Sequence, residues 1–208
     1  MIWRFLAAFG FRGKQGPELG ITDVSRISYR VLPTDIDILG HMNNGRYLSF
    51  LDMGRVHLTN RTGLAKQLTD AGIYAVVGAS RITYRKSLNL FVKFDIESRF
   101  VGADDRSLYI EQRFVVDGEI FAKALVRGRF LRKGAGAVKT VDVSQATGID
   151  FAAYPADPAI IAWANETALP PTRAEAPSVW GEPVSQRKSP DASKNEEHAT
   201  APDPTNGI

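Results

Sequence analysis

The chain has no cysteine among its 208 residues. That absence excludes disulfides, zinc–thiolate sites, iron–sulfur clusters and a cysteine nucleophile together. It also removes the main reason to expect a secreted, disulfide-stapled domain, so a cytoplasmic location is the expectation. Histidine is scarce as well. His41, His57 and His198 are the whole set, too few for a multi-histidine metal site, and neither a metal nor an organic cofactor is expected. Long apolar runs are missing too. Met1–Phe11 is apolar apart from Arg4, but a bilayer-spanning helix needs ~20 such residues, and a secretory signal would need a basic start and a small-residue cleavage site. Two readings of that stretch stay open. One is a short amphipathic segment docked on its own domain or a sister subunit, favoured because termini usually dock or fray. The other is a weak membrane-surface anchor with Trp3 and the Phe residues inserted. A large excess of either charge is also absent: 26 Lys+Arg stand against 23 Asp+Glu, a net charge of +3 and a pI near 9.2. The basic residues are scattered, with no basic helix and no zinc spacing, so no nucleic-acid partner is expected.

What is present suffices for a core, with 44% hydrophobic residues. The composition changes sharply at Leu169. Residues 169–208 hold seven of the eleven prolines, no Phe or Tyr, four basic and six acidic side chains. Such a segment has too little apolar surface to offset the entropy of ordering, and it reads as a disordered tail. Residues 1–168 then carry 22 basic and 17 acidic side chains, a net +5.

The middle of the chain alternates as an antiparallel sheet does. In Val92–Phe100, Val92, Phe94, Ile96 and Phe100 share one face, while Lys93, Asp95, Glu97 and Arg99 share the other. A period of two means a strand with one wet face. Ser107–Val116 is a further strand, and Asp117-Gly118 supplies the left-handed residues of a tight hairpin leading to Ile120–Leu131. Tyr74–Tyr84 reads as a central, covered strand, and Ile27, Tyr29 and Val31 mark the first. One long helix interrupts the strands. Tyr47, Leu48, Leu51 and Leu58 recur at helical spacing, with Asn43 or Asn44 as N-cap and Gly63 as the stop. Gly54 lies along its stripe. A glycine inside a helix costs about 1 kcal/mol against alanine, so it points to a helix pressed closely onto a sheet. His57, late in the helix, reads as a cation near the C-terminal turn. Asp52 and Arg55, three apart, are spaced to pair on the helix surface. Shorter helices are expected near Leu64–Ala71 and from Pro158, capped by Asp157. The order is strand, helix, then four strands, an α+β arrangement with one long helix embraced by a curled five-stranded antiparallel sheet.

The stretch that carries chemistry runs Pro33-Thr-Asp35-Ile-Asp37-Ile-Leu-Gly40-His41-Met-Asn43-Asn44-Gly-Arg-Tyr47, with Asp52 and Arg55 following. It sets carboxylates and polar side chains beside a helix N-terminus, whose unpaired backbone N–H groups and partial positive charge can hold a developing oxyanion. A nearby carboxylate can serve as nucleophile or as general base towards water. Oxyanion donors with a carboxylate, and no Ser or Cys nucleophile, suit hydrolysis of an activated acyl group such as a thioester.

The pattern D-x-D-x-x-G-H-x-N-N-x-x-Y-(x)4-D/E-x-x-R resembles the signature of hotdog-fold acyl-CoA thioesterases, the 4-hydroxybenzoyl-CoA thioesterase-like group. Asp35, Asp37, Gly40, His41, Asn43, Asn44, Tyr47, Asp52 and Arg55 all fall in place. Ser80–Lys86 looks like the family's second strand and the turn after it. The resemblance spans roughly residues 25–132 and implies a hotdog fold acting as a thioester hydrolase. It implies Asp37 as the catalytic carboxylate and an oxyanion site at the backbone N–H near Asn44. The related plant acyl-carrier-protein thioesterases have Asn two residues after that Asp, where this chain has Leu39, and they share His41. His41 is a candidate acid/base or loop-locking residue. Asn43, Tyr47, Arg85 and Lys86 are candidate substrate contacts, the last two for coenzyme A phosphates. The substrate implied is an acyl-CoA or acyl-carrier-protein thioester, and the active site lies between two subunits of a homodimer or dimer of dimers. The alternative is a non-catalytic acyl-binding or assembly module on the same fold. The organisation expected is an N-terminal apolar segment over 1–22, a hotdog domain over 23–145, a helical extension over 146–168 and the tail over 169–208.

Overall fold

A computed structural model describes residues 18–170, together with 172, 174–176 and 178. The apolar segment Met1–Phe11 lies outside the described residues, as does most of the proline-rich stretch. The chain divides into two units, Met1–Ala168 and Leu169–Ile208. In the second, the Thr172 hydroxyl donates to Glu175 Oε2 at 2.5 Å. Every element named below belongs to the first.

Among the described residues, six strands and four helices follow one another: β1 (Ser25–Arg30), α1 (Asn44–Arg61), α2 (Leu64–Asp70), β2 (Ile73–Tyr84), β3 (Lys93–Ala103), β4 (Ser107–Val116), β5 (Glu119–Arg132), β6 (Gly136–Val138), α3 (Thr140–Thr147) and α4 (Pro158–Glu166). The strands form one antiparallel sheet in the order β1-β3-β4-β5-β2, with β6 added to the end of β5. This is the expected α+β hotdog fold, a curled sheet wrapped round one long helix, with a three-residue sixth strand appended. The β4–β5 hairpin turns at Asp117-Gly118, both at positive φ as a type I′ turn requires. Asn43 is the N-cap of α1, its Oδ1 accepting the Gly45 N–H at 2.9 Å, and the helix stops at Thr62-Gly63, where Gly63 is left-handed. Asp157 caps α4 in the same way through the Ala159 N–H.

α1 lies on β1 and β3. Phe50, Phe94, Phe114, Tyr29 and Tyr47 interlock there, with ring centroids 4.7–6.2 Å apart. The alternation of β3 puts Phe94 and Ile96 in this core and Phe100 in a second cluster with Leu64, Leu68 and Phe151. Gly54 is the point of closest approach: a Cβ there would stand 2.6 Å from Ile96 Cγ2, 2.7 Å from Gln112 Nε2 and 2.9 Å from Ser98 Oγ. The opposite face of the sheet is covered by α4, whose Trp163 packs with Tyr109 and Leu125 and lies under Arg81 at 5.1 Å. Among the described residues, β2 pairs only with β5, so its outer edge carries no strand. No helix among the described residues is long and apolar enough to cross a membrane.

Candidate active site

The chain leaving β1 makes a short 3₁₀ turn, Pro33–Asp35. Asp35 is buried and structural: its Oδ2 accepts the Leu32 N–H at 2.9 Å, and its carbonyl accepts the Asn43 N–H. The next residues form a tight hairpin. Asp37 N–H donates to the His41 carbonyl at 3.0 Å and Gly40 N–H to the Asp37 carbonyl at 3.1 Å. Gly40, at φ +79°, supplies the left-handed position. Asp37 Oδ1 accepts the Leu39 N–H at 2.9 Å, and His41 Nδ1 stands 3.8 Å from the same oxygen, beyond hydrogen-bond length but within ion-pair reach when the imidazole is protonated. The hairpin is tied to the segment after β2 through the Met42 N–H to the Leu88 carbonyl and a bridge between His41 and Asn89. Asn44 is the first residue of α1, where N–H groups have no acceptor within the helix. Asp37, His41, Asn43 and Asn44 are thus brought together by one loop and one helix start. Ile38 and Leu39, at its tip, are fully or largely exposed.

Tyr47 lies below this loop. It is 2% exposed, its hydroxyl accepts the Leu88 N–H at 3.4 Å, its ring meets Tyr84 edge-on, and burial raises its pKa. Arg85 and Lys86 follow β2. Both bond Glu119, at 2.7 and 2.9 Å, and Arg85 also donates to the Ile120 carbonyl. Those two bonds hold the Glu119 carboxyl below its usual range.

A cavity of about 410 Å³ opens between α1, α2 and the sheet face of β2, β4 and β5. Val56, Leu64, Leu68, Ile73, Ile110 and Phe130 make its walls mostly apolar, and Asp52 and Arg55 are the charged residues on them. Asp37, His41 and Asn44 do not line it. Asp52 and Arg55 pair as their spacing suggests, but Arg55 is not a surface residue. It is 17% exposed, its Nη1 donates to Gln112 Oε1 at 2.8 Å, and burial lowers its pKa against the opposing pull of Asp52. His57 corrects the expectation for it. It is 3% exposed and bonds the buried Ser25 hydroxyl at 2.6 Å through Nδ1, because α1 turns that face towards β1 rather than water.

Residues 31–164 match the model of the thioesterase-like superfamily. The chain belongs to that superfamily. Among relatives, the protein THEM6 of Xenopus laevis is 34% identical over 147 residues, 70% of each chain. The THEM6 protein of Danio rerio is 37% identical over 136 residues, 63% of this chain and 67% of the relative. Among solved structures, YbaW of Escherichia coli superposes with a TM-score of 0.55 at 23% identity, covering 58% of this chain and 94% of its own, a likeness of fold. The thioesterase-like match runs from the end of β1 into α4, so it includes the Asp37 loop, the cavity and the helix over the outer sheet face.

Proposed function

We propose that the chain hydrolyses an acyl thioester, of coenzyme A or of an acyl-carrier protein, to the free acid and the thiol. The observation that carries this reading is Asp37, held on a hydrogen-bonded turn directly before the N-terminus of α1 in a chain of the thioesterase-like superfamily. The Asp37 carboxylate attacks the thioester carbonyl carbon or takes a proton from an attacking water. Either way the carbonyl oxygen becomes an oxyanion facing the Asn44 N–H and the positive end of the helix. Collapse breaks the C–S bond, the sulfur takes up a proton, and one water is consumed overall. His41 stands beside the carboxylate as its acid/base neighbour or as a lock on the loop. Asn43 holds the helix start and Tyr47 its underside.

The cavity takes the acyl group. It meets the Asp37 loop once two copies join along the open edge of β2. Antiparallel pairing of two β2 strands sets the end of one, near Tyr84 and the Leu88–Asn89 anchor of the Asp37 loop, beside the start of the other, Ile73–Val77, which is cavity wall. Sedimentation equilibrium of the full chain is therefore expected to give at least twice the chain mass; a monomer at micromolar concentration that hydrolyses thioesters would contradict this arrangement.

The test of the function is a free-thiol assay across aromatic, short and long acyl-CoAs. Thiol release above background supports hydrolysis, whereas acyl-CoA binding without release favours an acyl-binding module. On this reading Arg85 and Lys86, each bonded to Glu119, exchange that carboxylate for the substrate's phosphates. Glu119→Gln is expected to lower KM for acyl-CoA about two- to fivefold, the scale of an exposed ion pair, with the gain fading at high salt. An unchanged KM would mean the phosphates bind elsewhere.

A further inference from the structure

The outer face of the sheet, opposite α1, is divided in two. One residue from each of four neighbouring strands, Val101 of β3, Tyr109 of β4, Leu125 of β5 and Ala79 of β2, forms an apolar band across it. Tyr109 and Leu125 are buried there beneath Trp163 and Ala164 of α4. Beyond the band the face is charged: Glu111 pairs with Arg113 and Lys123, and Glu97 with Arg26. An apolar sheet face has to be covered by helices or by another sheet, and two sheets stack about 10 Å apart on such faces. A second copy of this chain would bring an identical band. Closed homo-oligomers are built from such self-matched surfaces.

The helix that takes the band instead is fastened at three points. Before α4, the Ala103 N–H donates to the Tyr154 carbonyl at 2.8 Å, and the Ala156 N–H donates to the Ala103 carbonyl at 2.9 Å. These bonds form a parallel bridge between Ala103 and Pro155 at the end of β3. The approach is that close because residue 102 is glycine: a Cβ there would stand 2.5 Å from Ala156 Cα. In the middle, Trp163 fills the band, with the Arg81 guanidinium 5.1 Å from its ring centre. At the far end, Arg127 Nη1 donates to the Ala164 carbonyl at 3.1 Å, while its Nε is held by Ser107 Oγ at 2.9 Å. A cation at that end also meets the negative pole of the helix. Both arginines come from the sheet itself, so the face is built to hold α4 in place.

We propose that the outer sheet face is a self-association surface, its partner a second copy of the same face, and that α4 is a built-in stop which occupies it. Association through the sheet face is thereby closed. Of the two assemblies expected from the sequence, a homodimer and a dimer of dimers, this favours the homodimer. The proposal rests on neither the hydrolase reading nor the β2 pairing.

Two substitutions in the full chain test this. Ala162 is exposed, so Ala162→Pro breaks α4 through its backbone alone, with Ala162→Gln as the control that keeps the helix. Trp163→Asp lifts α4 by a second route, an unpaired charge against Tyr109 and Leu125. Because the chain has no cysteine, a single Ala164→Cys, at a position 1% exposed, reports by its thiol-labelling rate whether α4 is seated. By sedimentation equilibrium at micromolar concentration, wild type and Ala162→Gln are expected to share one mass, and Ala162→Pro and Trp163→Asp to show twice that mass. Labelling of the reporter is expected to quicken at least about tenfold in both variants. A wild-type monomer that becomes a dimer in both variants would keep the stop and remove the β2 pairing. An unchanged mass in both variants, or four chain masses in the wild type, would overturn the proposal. So would doubling with a protected reporter, which puts the contact on another surface. Loss of the fold in both variants would overturn it as well, since the band would then need α4 to fold and could not serve a second copy.

Discussion

Asp37→Asn is expected to reduce kcat for thioester hydrolysis by about a thousandfold, within the 10²–10⁴ range of a positioned proton-transfer or nucleophilic group, while the chain folds as before. The substitution isolates chemistry from structure because of how Asp37 is held. Its side chain has one backbone bond, Oδ1 to the Leu39 N–H, and asparagine keeps an oxygen in that place. The hairpin bonds from Asp37 N–H and to its carbonyl are main-chain and remain. What is lost is the negative charge and the lone pair that attacks carbon or takes a proton from water. A partly exposed loop position of this kind shifts stability by no more than about 0.5 kcal/mol, so the melting temperature serves as the control. His41→Gln is expected to cost far less, about tenfold, because His41 stands beside the carboxylate at 3.8 Å without a hydrogen bond to it. Full activity in a folded Asp37→Asn protein would remove Asp37 from the mechanism. An equal loss in His41→Gln would instead make the two residues a working pair.

How much of this was legible in the amino-acid order depends on whether one segment carries the information. The strand that became β3 announced itself because Phe94, Ile96 and Phe100 alternate with charges on a sheet with one wet face. The β4–β5 hairpin followed from two residues able to take positive φ, and α1 from a cap, a stripe and a stop. The candidate loop was legible for the same reason: Asp37, His41, Asn43 and Asn44 are neighbours in sequence and remain so in space. α3 had no such signal. Its buried residues are Thr140, Val143 and Thr147, so its inner face is mainly threonine and its pattern reads as polar. The cavity was hidden for another reason. Asp52 and Arg55 are visible as a helical pair, but what makes Arg55 a wall residue is Gln112 on β4, 57 positions away. His57 likewise owes its burial to Ser25, 32 positions earlier. Helical periodicity tells which residues share a face; it does not tell what the facing strand brings to it.

Gly54 joins both kinds of information, and Gly54→Ala is expected to be strongly destabilising for a single added methyl group. In an exposed helix the substitution would gain about 1 kcal/mol from propensity alone. Here the new Cβ would stand within 2.6–2.9 Å of Ile96 Cγ2, Gln112 Nε2 and Ser98 Oγ, closer than packed atoms sit. None of the three neighbours yields easily. Ile96 is fully buried among Phe94, Phe114 and Tyr29, Gln112 is fixed by bonds to Leu51 and Ser98, and Ser98 faces Gln112 across the β3–β4 ladder. The helix must lift from the sheet, at an overpacking cost of about 1–3 kcal/mol or more. A net loss near 2 kcal/mol corresponds to a fall in melting temperature of roughly 4–8 °C for a fold of this size. Gly128→Ala is the matched control: its Cβ would meet only the Leu108 carbonyl, at 3.6 Å, an ordinary contact, and its melting temperature is expected to stay near wild type. The displacement at Gly54 also reaches the cavity, because moving Gln112 withdraws the acceptor that aims Arg55. Gly54→Ala is therefore expected to lower the melting temperature and to loosen Arg55 on the cavity wall, while Gly128→Ala leaves the melting temperature alone. If Gly54→Ala proved as stable as wild type, α1 would not be pressed on β3 and β4 at this point.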